Sequence, residues 1–194
     1  MNKIAGSSDL VGQINLDEET SYNLESACMA LGKNPSELNV VVMERPRHKT
    51  LIREISQFGA NVILIGDGDV SAALNAADSE SEIDMLMGIG AAPEGVITAT
   101  AVKAMGGFFE GRLHFMDESF KERALKMLGG DINNLWSADD LCRSNDSFFI
   151  ASGVCSGWIP GVKFDGNKAI VTSKIIFGDS IETQIITNEY ILGE

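Results

Sequence analysis

The stretch that most constrains the fold is residues 61–111, where the pattern strand, loop, helix occurs twice. Two hydrophobic runs, Asn61–Ile65 and Asp84–Met87, each end at a glycine, and each following loop leads into a run of small residues typical of a helix. In α/β units of this kind, ligands bind beyond the carboxyl ends of parallel strands. We therefore predict an α/β fold whose binding site is built from the loops Asp67–Asp69 and Gly88–Gly95.

Further elements are predicted within this stretch and on both sides of it. Residues 1–20 are polar and predict a loop, and Asp69 is predicted to cap a helix over Val70–Ala77. The other predicted helices cover 21–31, 49–58, 93–105 and 117–128, with a helix start at 137–140, and the other predicted strands cover 39–43, 108–115, 147–151, 161–164, 169–177 and 182–191. Alternating strand–helix units are thus followed by antiparallel strands, in one unit of 1–194 with a soft boundary near 153–161.

Composition narrows the class of protein. A chain of 194 residues with 44% hydrophobic residues can bury a core, and its net charge of −13 argues against nucleic-acid and anionic-membrane partners. The cysteines, Cys28, Cys142 and Cys155, have no metal-binding spacing and suggest reduced thiols in a cytosolic protein. We recognise neither a signal peptide nor a transmembrane span in the sequence.

The loop Gly88–Gly95 has the small residues of an anion-binding turn, followed by a helix start. Its structural alternative is an ordinary glycine-rich turn, since it matches neither G-x-G-x-x-G nor a P-loop. Glu94 would repel a phosphate there, unless a divalent Mg²⁺ or Mn²⁺ ion lies between the two. The alternative for Glu94 is a favourable interaction with the helix dipole.

Two more loops carry charged residues. Asp67-Gly68-Asp69 offers two carboxylates for sugar hydroxyls or a metal, with a turn and a helix cap as the alternative. Arg45-Pro46-Arg47-His48 offers two arginines for bidentate phosphate binding, with solvated charge as the alternative. His48 and His114 are predicted to be structural. The combination favours a site for a phosphorylated polyol and a divalent metal.

Four motifs resemble the class II fructose-1,6-bisphosphatases, including the type that also cleaves sedoheptulose 1,7-bisphosphate. They are ERPRH at 44–48, DGDV at 67–70, DMLMGIGAAPEGV at 84–96 and GGFFEGRL at 106–113. A looser likeness runs from about residue 3 to Tyr190 and corresponds to the C-terminal half of that family. The resemblance implies a layered α/β/α/β/α sandwich like that of the metal-dependent sugar phosphatases.

The resemblance also implies roles for individual residues. Glu94 would bind one of the divalent metal ions, Mn²⁺ or Mg²⁺. The residues implied in substrate binding are Arg45, Pro46, Arg47, Asp67, Gly68, Asp69 and Ala91. At Ala91 the family commonly has a glycine, so the added methyl group puts that contact in question.

The implied activity is hydrolysis of the 1-phosphate of fructose 1,6-bisphosphate in gluconeogenesis or carbon fixation. No catalytic residue is assigned within this chain, since the family's N-terminal half carries most of the metal ligands. We therefore expect turnover to require that N-terminal half. As partners we expect either a polypeptide that carries that half or further copies of this chain in a homo-oligomer. The alternatives are a non-catalytic sugar-phosphate-binding or regulatory protein and a generic nucleotide-binding domain. The expected location is the cytoplasm, or the plastid stroma in a photosynthetic eukaryote.

Overall fold

The computed structural model describes residues 1–193, which form two β-sheets and their covering helices. The strands are β1 Asn2–Gly6, β2 Asn39–Met43, β3 Asn61–Ile65, β4 Met85–Ile89, β5 Phe108–Arg112, β6 Leu135–Ser137, β7 Phe148–Ser152, β8 Lys163–Asp165, β9 Lys168–Phe177 and β10 Glu182–Ile191. The helices are α1 Thr20–Leu31, α2 Lys49–Phe58, α3 Asp69–Ala77, α4 Ala92–Ala104, α5 Glu118–Leu128 and α6 Ala138–Leu141. Short 3-10 turns cover Ser8–Leu10, Pro35–Glu37 and Pro46–His48.

The first sheet has six strands in the order β3-β2-β4-β1-β5-β6. Strand β2 runs parallel to β3 and β4, whereas β1 runs antiparallel to both β4 and β5. The second sheet is antiparallel and has the order β10-β9-β7, with β8 also paired to β9. The predicted α/β class, with alternating strand–helix units followed by antiparallel strands, is confirmed.

Helices cover both faces of the six-stranded sheet because its inner strands alternate buried side chains towards two cores. One core joins the sheet to α1 and α2 through residues such as Leu24 and Ile55, which are fully buried. The other core joins it to α3 and α4 through small side chains such as Ala73 and Ala99. Small residues let these two helices approach the sheet and each other closely.

The prediction of a loop over residues 1–20 is wrong at its beginning. Asn2–Gly6 forms β1, which lies inside the sheet between β4 and β5. Five residues that include a lysine do not identify a buried strand by their pattern, because its partners are distant in the chain. The predicted strand over 108–115 is also shorter and ends at Arg112.

Within residues 1–193, no helix is both long enough and apolar enough to cross a bilayer. The predicted soft boundary near 153–161 stays a prediction.

Candidate functional site

Three loops meet along one edge of the six-stranded sheet, which we call the rim. The rim consists of residues 45–48 after β2, residues 66–69 after β3 and residues 90–95 after β4. Because β2, β3 and β4 are parallel neighbours, their carboxyl ends share this edge. The antiparallel β1 begins at the same edge, which brings residues 1–3 to the rim as well.

The first rim loop is fastened to the last residue of β4 by Arg47 and His48. Arg47 donates from Nε and Nη2 to the Ile89 carbonyl oxygen at 3.0 and 2.6 Å. His48 lies 2.7 Å from the Met43 carbonyl oxygen through Nδ1, and its Nε2 accepts the Ile89 N–H at 2.8 Å. Arg45, half-buried, donates from Nη1 to the Glu44 carbonyl oxygen at 3.0 Å.

These contacts define the chemistry of His48. An Nε2 that accepts a backbone N–H carries no proton, so the ring is neutral with its proton on Nδ1. Burial is the main cause that holds the pKa of His48 below its usual value, and the charges of Arg47 and Arg45 act in the same direction. The structure thus supports a structural role for His48, as a clip between the first rim loop and β4.

The second rim loop places its two carboxylates differently. Asp67 is exposed, and its Oδ1 accepts the N–H of Gly68 at 2.9 Å. Gly68 has a φ of 88°, a left-handed conformation that favours glycine, and it occupies the N-cap position of α3. Asp69 is the first helical residue and is buried, so its prediction as the N-cap is wrong. The reason is Lys3, whose Nζ lies 2.7 Å from Asp69 Oδ2.

The third rim loop packs directly on Asp69. An added Cβ at Gly90 would overlap Asp69 Oδ2, so only glycine fits there without movement. Ala91 is exposed and occupies the N-cap position of α4. Glu94 is exposed in the first turn of α4, and its carbonyl oxygen accepts a hydrogen bond from Thr98 Oγ1 at 2.7 Å.

The charges of the three loops act on one atom at the rim. Burial lowers the pKa of the Met1 amino group to about 6, and the charges of Lys3 and Arg47 lower it too. Asp69 and Glu94 raise the pKa of the same group. Two cations and two carboxylates from separate parts of the sequence thus act on the Met1 amino group.

Beneath the rim lies a small cavity of about 10 Å³, bordered by Lys3, His48, Asp69 and Gly88 together with side chains of β2 and β4. A space of this size holds at most about one water molecule. The cavity is too small for a sugar phosphate, so a ligand of that size would bind on the solvent side of the rim.

A metal ion needs more ligands than residues 1–193 bring together. Among residues 1–193, no group of three or more His, Cys, Asp or Glu side chains is placed to hold an ion. Glu94 offers a single exposed carboxylate, whereas Mg²⁺ and Mn²⁺ need a fuller set of oxygen ligands. The residues described here therefore do not form a complete metal site by themselves.

Sequence reasoning missed Lys3 and Met1, the two rim residues that come from β1. A lysine in a short polar-looking segment reads as a solvated charge, and its 1% exposure follows only from the strand pairing. The one local signal was the apolar pair Ile4-Ala5 that follows Lys3, and it is too short to identify a strand.

Comparison with known proteins gives one family. The family model described as bacterial fructose-1,6-bisphosphatase, glpX-encoded, matches residues 1–190. A protein of Trichodesmium erythraeum is 37% identical over 207 aligned positions, covering 100% of this chain and 60% of the relative. A protein of Acaryochloris marina is 39% identical over 189 positions, covering 91% of this chain and 54% of the relative. Both are named D-fructose 1,6-bisphosphatase class 2/sedoheptulose 1,7-bisphosphatase.

The chain is thus shorter than these relatives. It spans 54–60% of their length and corresponds to their C-terminal part.

Proposed function

The chain belongs to the glpX-encoded bacterial fructose-1,6-bisphosphatase family, and on that premise we propose that it forms part of an enzyme that hydrolyses the 1-phosphate of fructose 1,6-bisphosphate. Sedoheptulose 1,7-bisphosphate is the second substrate in the names of the relatives. The observation that supports this proposal most is the rim itself, where residues 45–48, 66–69 and 90–95 adjoin one another. A role in gluconeogenesis or carbon fixation is part of the same proposal.

We assign the rim residues to two parts of the substrate. Arg45 and Arg47 would bind phosphate, since a guanidinium group matches phosphate oxygens in a bidentate way, and Pro46 would fix the backbone between them. Arg47 Nη1 makes no hydrogen bond within residues 1–193, so it remains free for a ligand beside the bonds to Ile89.

The sugar would contact the second and third rim loops. Asp67, Gly68 and Asp69 would accept hydrogen bonds from its hydroxyl groups or offer backbone N–H groups to it. Ala91 lies at the exposed N-cap of α4, so its methyl group would face the ligand.

We propose that the whole enzyme uses Mn²⁺ or Mg²⁺, with Glu94 as one ligand. Such an ion, when bound, would lower the pKa of a coordinated water and neutralise charge on the phosphoryl group. The other ligands would come from the part of the family architecture that this chain does not match, since residues 1–193 hold no complete ligand set. We therefore expect this chain to contribute substrate binding and one metal ligand.

The second sheet offers a surface for that complementing part. The register places Phe148 opposite Phe177 and Ile150 opposite Ile175, so that these four side chains share one face of the sheet. Phe148 is 61% exposed and Ile150 is 54% exposed. We call this surface the apolar face; it also includes Phe164, Val171, Ile186 and Tyr190.

On the opposite face of the same sheet, Ile176 is only 1% exposed, whereas Ile185 and Ile191 of β10 are 64% and 77% exposed. Within residues 1–193, no strand pairs with the outer edge of β10, and every residue of β10 is exposed. A broad apolar face beside a free strand edge is typical of a surface that another polypeptide covers. We propose that the apolar face is covered by the segment of the family architecture that this chain does not match, because the relatives are long enough to contain such a segment.

The test is a reconstitution. The purified chain is mixed with a polypeptide that carries the part of the Trichodesmium relative that this chain does not match, and phosphate release from fructose 1,6-bisphosphate is measured with Mn²⁺. We expect no release from the chain alone and release from the mixture. Release by the chain alone would contradict the proposed need for a partner. No release from a mixture that forms a stable complex would contradict the proposed activity.

A second candidate is a non-catalytic sugar-phosphate-binding or regulatory protein, which the lack of a complete metal site within residues 1–193 favours. Thermal stabilisation by fructose 1,6-bisphosphate without turnover, in the chain and in the mixture, would support it. Arg45→Ala should then abolish the stabilisation, and an unchanged shift would exclude phosphate binding through Arg45. For either candidate we propose the cytoplasm, or the plastid stroma in a photosynthetic eukaryote, as the location.

A further inference from the structure

One charged side chain at the rim has no role in the assignments above. Lys3 lies in β1, is 1% exposed, and forms an ion pair of 2.7 Å between its Nζ and Asp69 Oδ2. Its remaining hydrogen bond, to the Ala91 carbonyl oxygen, is long at 3.5 Å. The ammonium group thus touches both the second and the third rim loop from below.

The sheet leaves room for this side chain. In the register of β1, Lys3 lies opposite Gly88 of β4 on one side and Gly111 of β5 on the other. Side chains of directly opposed residues project from the same face. Because neither glycine has a side chain, His48 packs beside Gly88 and Met1 packs beside Gly111, so both fit on this face next to Lys3. Gly90 lets the Asp69 carboxylate pack against the third loop in the same way.

The pair uses only half of the carboxylate. Lys3 takes Asp69 Oδ2, and no hydrogen bond within residues 1–193 reaches Oδ1. The Asp69 side chain is 11% exposed, so it is accessible from the rim while Lys3 is not. Asp69 thus keeps one acceptor oxygen without a partner among residues 1–193, on a side chain that the ion pair holds in place.

Stability alone does not explain a buried pair of this kind. Desolvation of two charges costs about as much as their attraction returns, and apolar side chains of similar size often serve as well. The charge of the expected ligand offers a better explanation for the Lys3–Asp69 pair. An unneutralised Asp69 would repel a bisphosphate, whereas Asp69 paired with a cation can accept a hydroxyl without adding net charge.

We infer that Lys3 is a positioning residue of the substrate site, which orients Asp69 Oδ1 towards a sugar hydroxyl and cancels the charge of Asp69 towards phosphate. This inference rests on the proposed function, because it takes a sugar phosphate as the ligand. Lys3 acts through Asp69 and not by direct contact, since its own exposure is 1%.

The chain offers a matched control for its test. Lys33 forms a second ion pair, also 2.7 Å long, with Asp84 Oδ1. Asp84 precedes β4, so this pair lies at the other end of the strand from Gly90. Lys33→Met removes a partly buried lysine–aspartate pair without touching the rim.

The experiment measures the affinity for fructose 1,6-bisphosphate by calorimetry, with the thermal midpoint measured in parallel. Lys3→Met is expected to weaken binding at least about tenfold, because it leaves Asp69 charged and unfixed. Lys33→Met is expected to change the affinity by less than about twofold. Equal affinities of Lys3→Met and the unchanged chain, or an equal loss in Lys33→Met, would overturn the inference.

A double variant covers the case in which Lys3→Met does not fold. Lys3→Met/Asp69→Asn removes both charges, so it should recover the thermal midpoint but keep a loss of at least about tenfold in affinity. Recovery of full affinity by this variant would overturn the inference. No binding by the unchanged chain would overturn the proposed contribution of this chain to substrate binding together with this inference, whereas binding retained by the Lys3 variants would overturn the inference alone.

Discussion

At the scale of the residue, the rim depends on close packing that tolerates no larger side chain at some positions. Gly90 is the clearest case, because an added Cβ there would meet Asp69 Oδ2 and would lie 3.0 Å from Lys3 Nζ. Gly66, in the neighbouring loop, has nothing within 4 Å of an added Cβ. Two glycines of the same region thus differ in what they tolerate.

We expect Gly90→Ala to destabilise the chain by about 1–3 kcal/mol, since the methyl group must push the ion pair apart. Gly66→Ala, the matched control, should change stability by less than about 0.5 kcal/mol. Urea unfolding of both variants measures the difference. A Gly90→Ala variant as stable as Gly66→Ala would show that the ion pair lies elsewhere.

His48 gives a prediction on pH. Its pKa in the folded chain is below its usual value, so around and below about pH 6.5 the unfolded chain binds more protons. The stabilisation from neutral His48 is therefore present above about pH 6.5 and is lost as the pH falls through and below that value. We expect the free energy of unfolding to decrease between pH 7.5 and 5.5.

The contribution of His48 is isolated by comparing His48→Gln with the unchanged chain over the same pH range. His48→Gln should have a smaller slope of stability against pH. The Met1 amino group, whose pKa is also lowered, contributes equally to both proteins. An unchanged slope in His48→Gln would disprove the assignment.

At the scale of the element, most helices and strands follow from local sequence patterns. One turn is an exception, because its backbone conformation is unfavourable for the residue that it contains. The hairpin between β9 and β10 contains Ile181, whose φ is 56°. A β-branched residue is strained in this left-handed conformation by about 1–2 kcal/mol.

Ile181→Gly is expected to stabilise the chain by about 1 kcal/mol, because glycine adopts this conformation freely. Ile185→Gly is the control: Ile185 is exposed to a similar degree, 64% against 60%, but it lies within the extended strand β10. There, glycine should destabilise by about 0.5–1 kcal/mol. Thermal unfolding measures whether each variant is more or less stable than the unchanged chain. Destabilisation by Ile181→Gly would mean that the packing of the Ile181 side chain contributes more than the strain of its backbone.

At the scale of the whole molecule, the two sheets differ in how well this chain covers them. The six-stranded sheet has helices on both faces, whereas the second sheet leaves the apolar face and the edge of β10 exposed. An uncovered apolar face of this kind is expected to direct association.

We expect Phe148→Ser/Ile150→Thr to raise the dissociation constant of the complex with the complementing polypeptide at least about tenfold, since both side chains lose apolar contact area. Tyr22→Ser/Met29→Thr is the control on α1, where both residues are at least half exposed, at 50% and 71%. Equal weakening by the two double variants would exclude the apolar face as the docking surface. A homodimer of the chain alone that Phe148→Ser/Ile150→Thr dissociates would identify a second copy as the occupant.

The sequence by itself determined the local part of this protein. The bounds of β2, α2 and β3 agree with the prediction, because β2 and β3 are short apolar runs and α2 has a helical apolar pattern, and each ends at a glycine or a polar loop. The three loops that make the rim were identified for the same reason, since chemistry-bearing residues follow directly on strands.

Only the tertiary structure decided what joins those loops. The placement of β1 between β4 and β5 brings Lys3 to Asp69, although the two are 66 positions apart. The clip from His48 to Ile89 likewise spans 41 positions. The order of strands in a sheet depends on pairing between distant parts of the chain, and the local periodicity of hydrophobic residues does not predict that order. The partner of a buried charge therefore becomes visible only after the sheet has formed.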